Sequence, residues 1–346
     1  MRGIIGPAGK RCQTLDCDSF AGRVDIARND DLERRLAGWL DSLGYAGARL
    51  EPLAGDLSSR RYLRVRPARG APLVAAIYPP DLAEAQRRFV AAARLLDAAG
   101  VRVPGIEADA PELGFALLED LGPATLFERG DLDWSSRRPW FESALDAASR
   151  VAGLSVDAVV ALGSPPLDAT LLRRELEPVL ELFLAPRGLA PEAMRAALDE
   201  LCTRLGAEPP VPCHRDFMAR NLMPLADGTV AVLDFQDLRL GPPAYDLASL
   251  LNDSLFAPEA LEREWRALTP SGRDPGSYGR AVAQRCLKAV GTFVRFATRG
   301  QPRHLPLVPA TLARAARHLA QLPETSAAFA PLASGFAAAS GDGGIC

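Results

Sequence analysis

His214-Arg215-Asp216-Phe217-Met218-Ala219-Arg220-Asn221 is followed at once by two apolar runs, residues 222–226 and 229–233. Asp227-Gly228 joins the runs, and Asp234-Phe235-Gln236-Asp237 comes after them. Asp-Gly between apolar runs is a strong hairpin signal, because both residues tolerate the positive φ of a tight turn. A hairpin returns the chain to its origin. It therefore sets Asp234, just past the second run, beside Asn221, just before the first. Asp216, Asn221 and Asp234 then meet at one end of a ribbon. Two carboxylates and a carboxamide, with no histidine or cysteine in the set, form an oxygen-donor group suited to a hard cation such as Mg²⁺. One carboxylate outside the metal shell is free to orient an attacking hydroxyl. That division of labour is what phosphoryl transfer needs.

Working outward, the chain reads as a small mixed unit followed by a mainly helical one. Residues 1–28 show no periodicity and are expected to form a flexible tail. Residues 29–120 hold a helix from Asp30, then strands at 48–53, 61–66 and 72–78. A long helix from Asp81 to Ala99 and strands at 106–108 and 115–119 complete this unit. Asp81 is the expected N-cap of that helix and Gly100 its stop. Beyond a connector at Asp120-Leu121-Gly122-Pro123 the 3.6-residue period dominates, with helices near 136–152, 171–184, 191–205, 244–256, 275–298 and 309–321. Residues 121–323 are thus a larger helical lobe. Residues 324–346, rich in Ala, Ser and Gly, read as a disordered tail. The fold class is α+β and bilobal, a small antiparallel-sheet lobe and a larger helical lobe.

Composition narrows the function classes. The 346 residues carry a net charge of −3 and are 48% hydrophobic. A near-neutral chain argues against nucleic-acid binding, and no apolar run is long enough to span a membrane. The N-terminus lacks the apolar core and cleavage site of a secretory signal. The six cysteines show no metal or disulfide spacing, which predicts the reducing cytoplasm. Cys213 and His214 are neighbours on an extended segment and so point opposite ways, which rules against a thiol–imidazole pair. Gly6-Pro7-Ala8-Gly9-Lys10-Arg11 imitates a phosphate-binding loop. It fails because Ile4 stands where the first glycine belongs and Arg11 where the Ser/Thr belongs. Only two of the 40 basic residues are lysine, Lys10 and Lys288. A mechanism that needs a lysine has two places to find one. His304 and His318 read as surface residues.

His-Arg-Asp-x-x-x-x-Asn followed by Leu233-Asp234-Phe235 resembles the catalytic and magnesium loops of the protein-kinase-like superfamily. The continuation Gly241-Pro242-Pro243-Ala244-Tyr245-Asp246-Leu247-Ala248 resembles the aminoglycoside phosphotransferase family. Other shared features are Ser59-Arg60-Arg61-Tyr62, Asp120-Leu121-Gly122, Leu171-Leu172-Arg173-Arg174-Glu175, Phe235-Gln236-Asp237 and Leu287-Lys288-Ala289-Val290-Gly291. They resemble the branch of that family that phosphorylates the anomeric hydroxyl of N-acetylated amino sugars in cell-wall recycling. The likeness covers roughly residues 30–323.

The resemblance implies an ATP- and Mg²⁺-dependent kinase acting on a small-molecule sugar hydroxyl. Asp216 is then the base, and Asn221 and Asp234 are the metal ligands. His214, Arg215 and Asp246 support the catalytic loop. Ser58, Ser59, Arg60 and Arg61 face the phosphates, and the Glu119–Leu121 connector offers backbone groups to adenine. Arg220, Asp237 and Glu175 are candidate sugar contacts, Glu175 competing with a solvated helix face. The chain departs from the family at its third strand, Leu73-Val74-Ala75-Ala76-Ile77, which has no lysine, although Glu84 stands on the following helix. An arginine such as Arg60 or Arg61 would have to hold the phosphates, which guanidinium does well. Two alternatives stay open: a kinase for aminoglycosides or other amino alcohols, and a nucleotide-binding pseudokinase module.

Overall fold

The structure is a computed structural model and describes residues 31–53 and 60–341. It divides into two compact units, one ending at Ile77 and one starting at Tyr78. In the first, a helix at residues 31–42 (α1) buries Leu36 and Leu40, four apart and so on one face. Strands β1 (Arg49–Pro52), β2 (Arg61–Arg66) and β3 (Leu73–Ile77) form an antiparallel meander. Arg49 pairs with Arg66, and Arg61 with Ile77. In β2, Leu63 and Val65 are buried while the flanking Arg61 and Arg66 are exposed. This is the period-2 alternation of a sheet with one covered face.

The second unit opens with α2 (Ala83–Ala98) and the antiparallel hairpin of β4 (Ile106–Ala110) and β5 (Phe115–Glu119). The buried Gln86 ties them together: its Nε2 donates to Asp109 Oδ1 at 2.7 Å and to the Phe115 carbonyl at 2.8 Å. Asp81 is not the N-cap of α2. It lies in a single 3₁₀ turn, Pro80–Leu82, and α2 begins after it. The sequence reading ended the first lobe at residue 120, whereas the compact unit ends after β3. Residues 78–120 also contact the segment around residues 232–235. Phe89 of α2 stacks on Phe235 with ring centroids 4.8 Å apart, and Val232 N donates to the Arg102 carbonyl at 2.8 Å.

The rest of the described residues are mainly helical, with two short antiparallel strand pairs between residues 211 and 241. The helices are α3 (Trp134–Ala152), α4 (Val156–Ala161), α5 (Ala169–Val179), α6 (Glu192–Gly206), α7 (Tyr245–Asn252), α8 (Glu259–Leu268), α9 (Pro275–Thr298) and α10 (Val308–Leu319). Aspartates start three of them, Asp133, Asp168 and Asp274 accepting from Ser136 N, Leu171 N and Gly276 N. Helix α9 is buried along most of its length and packs against α5, α6, α7 and α10. A Cβ on Gly291 would sit 2.5 Å from Val179 N, so glycine is what lets α9 and α5 approach. Residues 326–341, expected to be disordered, form α11 (Ser326–Phe329) and α12 (Ala333–Gly341). The Ala/Ser/Gly bias concealed two anchors: Phe329 and Phe336 are buried, their rings 5.0 Å apart.

Candidate active site

The Asp227-Gly228 turn folds as the sequence requires. Strands β7 (Leu222–Pro224) and β8 (Val230–Val232) pair antiparallel, with Leu222 opposite Val232, and Gly228 takes φ +85°. The ladder continues one step further, Leu233 N donating to the Asn221 carbonyl at 2.8 Å. That bond sets Asp234 next to Asn221. Asn221 Nδ2 in turn donates to the Asp216 carbonyl at 2.8 Å. The three residues singled out from spacing are therefore linked through adjoining backbone. A second pairing, which the sequence did not suggest, joins β6 (Val211–Cys213) to β9 (Arg239–Gly241), with Cys213 opposite Arg239. It brings the segment entering Asp216 alongside the segment leaving Asp237.

Two backbone conformations here are costly and are held by specific bonds. Arg215 has φ +76° and Asp234 φ +59°, left-handed values that L-residues avoid. The buried Asp246, at the start of α7, accepts from His214 N at 2.6 Å and Arg215 N at 2.9 Å, fixing the turn into Asp216. Burial pushes the Asp246 carboxyl up; His214 and the two amide bonds oppose the rise. The His214 ring bonds the Leu233 carbonyl through Nε2 at 2.8 Å, joining the catalytic loop to the end of the hairpin. Phe235, directly after Asp234, is fully buried against Phe89. Gln236 Nε2 donates to Asp234 Oδ1 at 2.7 Å.

The Asp216 carboxylate is surrounded by cations. Lys288 Nζ donates to Oδ1 at 3.0 Å, Arg285 lies 3.3 Å from the same oxygen, and Arg215 approaches Oδ2 at 3.8 Å. Burial would raise this carboxyl, but the charges of Lys288, Arg285 and Arg215 outweigh it and hold it far below the usual carboxylate range. Asp216 is ionised, its side chain is 25% exposed, and Oδ2 is its less engaged oxygen. Glu175 on α5 lies beneath. Its Oε1 accepts from Arg215 at 2.5 Å and faces Lys288 at 3.4 Å, with 8% of the side chain exposed. Burial pushes its carboxyl up, and Lys288 and Arg215 pull it down further than that. Glu175 is thus not on a solvated helix face. Asp237 pairs with Arg215 at 3.2 Å and Arg239 at 3.4 Å, and stays 44% exposed. Arg285 also reaches Asp253 at 3.4 Å and Ser249 Oγ at 3.1 Å.

Lys288 and Arg285, one turn apart on α9, are what the sequence reading missed. The one signal available was arithmetic: one of only two lysines lies in the middle of a buried helix. His318, read as a surface residue, is buried, its ring 6.0 Å from Tyr278.

Of the expected nucleotide contacts, Ser58 and Ser59 lie outside the described residues. Arg60 sits 6.0 Å from the Tyr62 ring, and Arg61 lies 3.9 Å from Glu33. Glu84, expected opposite a strand lysine, pairs with Arg87 at the surface at 3.0 Å. The Glu119 carboxylate accepts from Arg102 at 2.5 Å and Gly105 N at 3.0 Å, and its own N–H donates to the Gly105 carbonyl at 2.8 Å. Asp120 caps the next turn by accepting from Gly122 N at 3.0 Å. The backbone groups of Leu121, between them, have no partner among the described residues.

Among the described residues no group of three or more His, Cys, Asp or Glu is placed to hold a metal. The site's oxygen donors are of another composition. With Nδ2 spent on the Asp216 carbonyl, Asn221 has its amide oxygen left to give, and Asp234 stands beside it. One carboxamide oxygen and one carboxylate fit a small hard cation that also takes ligands from a phosphate-bearing substrate.

Residues 49–281 match the family described as phosphotransferase enzyme family. Two curated relatives are N-acetylmuramate/N-acetylglucosamine kinases. The one from Pseudomonas aeruginosa is 38% identical over 283 residues, 76% of this chain and 81% of the relative. The one from Pseudomonas putida is 35% identical over 281 residues, 75% and 80% of the two chains. Among solved structures, the choline kinase LicA from Streptococcus pneumoniae superposes with a TM-score of 0.57 at 15% identity, covering 84% of this chain and 98% of that one. The ADP-bound aminoglycoside phosphotransferase APH(2'')-Ib gives 0.55 at 13% identity, covering 85% and 98%. At such identities the structural likeness speaks for the fold, and it bears out the kinase-like α+β class read from the sequence. The family rests on the sequence match: this chain belongs to the phosphotransferase enzyme family.

Proposed function

We propose that the chain is an ATP-dependent kinase that phosphorylates the anomeric hydroxyl of N-acetylmuramate or N-acetylglucosamine. The observation that carries the reading is the Asp216 carboxylate. It is ionised and partly exposed, it heads the loop that ends in Asn221, and it lies in a chain more than a third identical to a kinase named for those two sugars. The substrates in that relative's name are N-acetylated amino sugars, neutral or anionic, which favours them over a cationic aminoglycoside or choline. The intact Asp216–Asn221–Asp234 set speaks against a pseudokinase. Buried free thiols at Cys202, Cys213 and Cys286 agree with a cytoplasmic enzyme. No helix among the described residues is long and apolar enough to cross a membrane.

In the reaction, Asp216 Oδ2 accepts a hydrogen bond from the sugar hydroxyl and aims its oxygen at the γ-phosphorus. The new O–P bond forms as the bond to ADP breaks, and the hydroxyl proton passes to Asp216 and then to water. Because the transition state is loose, the proton moves late. The carboxylate must orient from the start and needs little basicity. Lys288 and Arg285 fix Oδ1, which sets the direction of Oδ2. A magnesium ion held by Asn221 and Asp234 would neutralise phosphate charge. We assign adenine to the open backbone groups of Leu121.

The test is ATP consumption with a panel of sugars, read by phosphorus NMR for an anomeric phosphate. Asp216→Ala should lower kcat by several orders of magnitude and leave ATP binding nearly unchanged. Near-normal turnover in that variant, or tight ATP binding with no sugar phosphorylated by the wild type, overturns the reading.

A further inference from the structure

N-acetylmuramate differs from N-acetylglucosamine by a lactyl ether that ends in a carboxylate. A site that discriminates between them needs a cation not already neutralised. Arg215 is engaged by Glu175, Asp237 and Asp216. Lys288 is engaged by Asp216 and Glu175. Arg285 is 5% exposed and shared between Asp216 and Asp253, and Arg239 is 6% exposed and bonded to Asp237 and two carbonyls.

Arg220 is different. Its guanidinium lies 4.4 Å from the Phe127 ring centroid and 5.8 Å from that of Phe293. Its only ion-pair partner among the described residues, Asp253, is 3.8 Å away. Asp253 is itself bonded to Ser254 through the same oxygen and to Arg285 through the other. One terminal nitrogen of Arg220, NH2, is buried with no hydrogen-bond partner among the described residues. Two rings therefore fix the plane of a guanidinium whose hydrogen-bonding capacity is mostly unspent. Asp253 spans Arg220 and Arg285, and Arg285 touches Asp216, so the unspent donors lie one side chain away from the partner of the base.

Resting on the proposed sugar-kinase reading, we infer that Arg220 binds the carboxylate of an anionic acceptor and sets the preference between the anionic and the neutral sugar. The stacked guanidinium presents a planar fork that matches a carboxylate.

The experiment measures kcat/KM of the full chain for N-acetylmuramate and N-acetylglucosamine. The selectivity ratio between them should fall by about 10- to 150-fold in Arg220→Gln, the range expected for losing a hydrogen bond to a charged group. Arg220→Lys, which keeps charge without the fork, should recover part of the ratio. On the substrate side, the methyl ester of N-acetylmuramate should lose the same factor with the wild type, a readout independent of whether a variant folds. A ratio unchanged in Arg220→Gln, an ester used as well as the acid, or a wild type that accepts only the neutral sugar overturns the inference while leaving the kinase reading intact. A wild type that phosphorylates neither sugar overturns both.

Discussion

Replacing Lys288 by methionine removes one positive charge from between two buried carboxylates and keeps most of the side-chain volume. At an effective dielectric of 20, a unit charge 3.0 Å from Asp216 and 3.4 Å from Glu175 interacts with each by about 5 kcal/mol before desolvation. Removing one member of a buried ionic group costs about 3–5 kcal/mol net. Arg285 at 3.3 Å and Arg215 at 3.8 Å still face Asp216 in the variant, so the lower end, about 3 kcal/mol, applies. For a chain of this size, with an unfolding entropy of about 0.7 kcal/mol/K, that corresponds to a fall in Tm of about 4 °C. Catalysis should suffer about as much as stability. With Oδ1 no longer fixed by Lys288, the direction of Oδ2 is lost, and a displacement of about 1 Å at a reacting group costs roughly 100-fold in kcat. Adding Glu175→Gln removes the second charge of the pair, so the double variant should regain most of the lost Tm and none of the lost kcat. Thermal denaturation and steady-state kinetics on the single and double variants decide the matter. A Lys288→Met protein with unchanged Tm and kcat, or a double variant no more stable than the single, would refute the charge-balance argument.

Two further outcomes are expected. Burial, aided by Arg317, lowers the His318 pKa to about 4, so between pH 6.5 and 4 the unfolded chain takes up a proton that the folded one refuses. Stability then falls as pH drops, by about 2 kcal/mol from pH 7 to pH 5, and urea midpoints should show that drop reduced by the same amount in His318→Asn. Gly291→Ala forces a methyl to within 2.5 Å of Val179 N, an overpacking that should cost about 1–3 kcal/mol; an alanine variant of wild-type stability in the same urea titration would mean that α5 and α9 separate freely there.

Much of the catalytic loop was legible because its geometry is local. Asp234 stands thirteen positions after Asn221, and an Asp-Gly turn between apolar runs leaves few ways to connect them. The long helices were legible for the same reason, since their apolar period repeats over several turns. What stayed hidden depends on contacts distant in sequence. Strands β6 and β9 have three residues each, too few for a period-2 pattern to register. The C-terminal helices looked like low-complexity chain because two phenylalanines, not an apolar face, hold them down. Glu175 was ambiguous because only the fold tells whether α5 turns it towards Arg215 and Lys288 or towards water.

Lys288 shows most clearly where sequence reasoning stopped. The missing strand lysine directed attention to arginines near the first strands, yet the ammonium that matters to the proposed base is 72 residues beyond it. Its placement bears on the chemistry. Three cations hold Asp216 so far into its ionised form that it is a weak base, and a weak base cannot strip a proton from an ordinary alcohol before bond formation begins. It can orient a hydroxyl and receive its proton once the oxygen has begun to bond to phosphorus, when that proton has become strongly acidic. The demand is lightest for a hemiacetal hydroxyl, already more acidic than the other hydroxyls of a sugar. The electrostatics around Asp216 and the anomeric acceptor implied by the family resemblance therefore support the same reading from independent starting points.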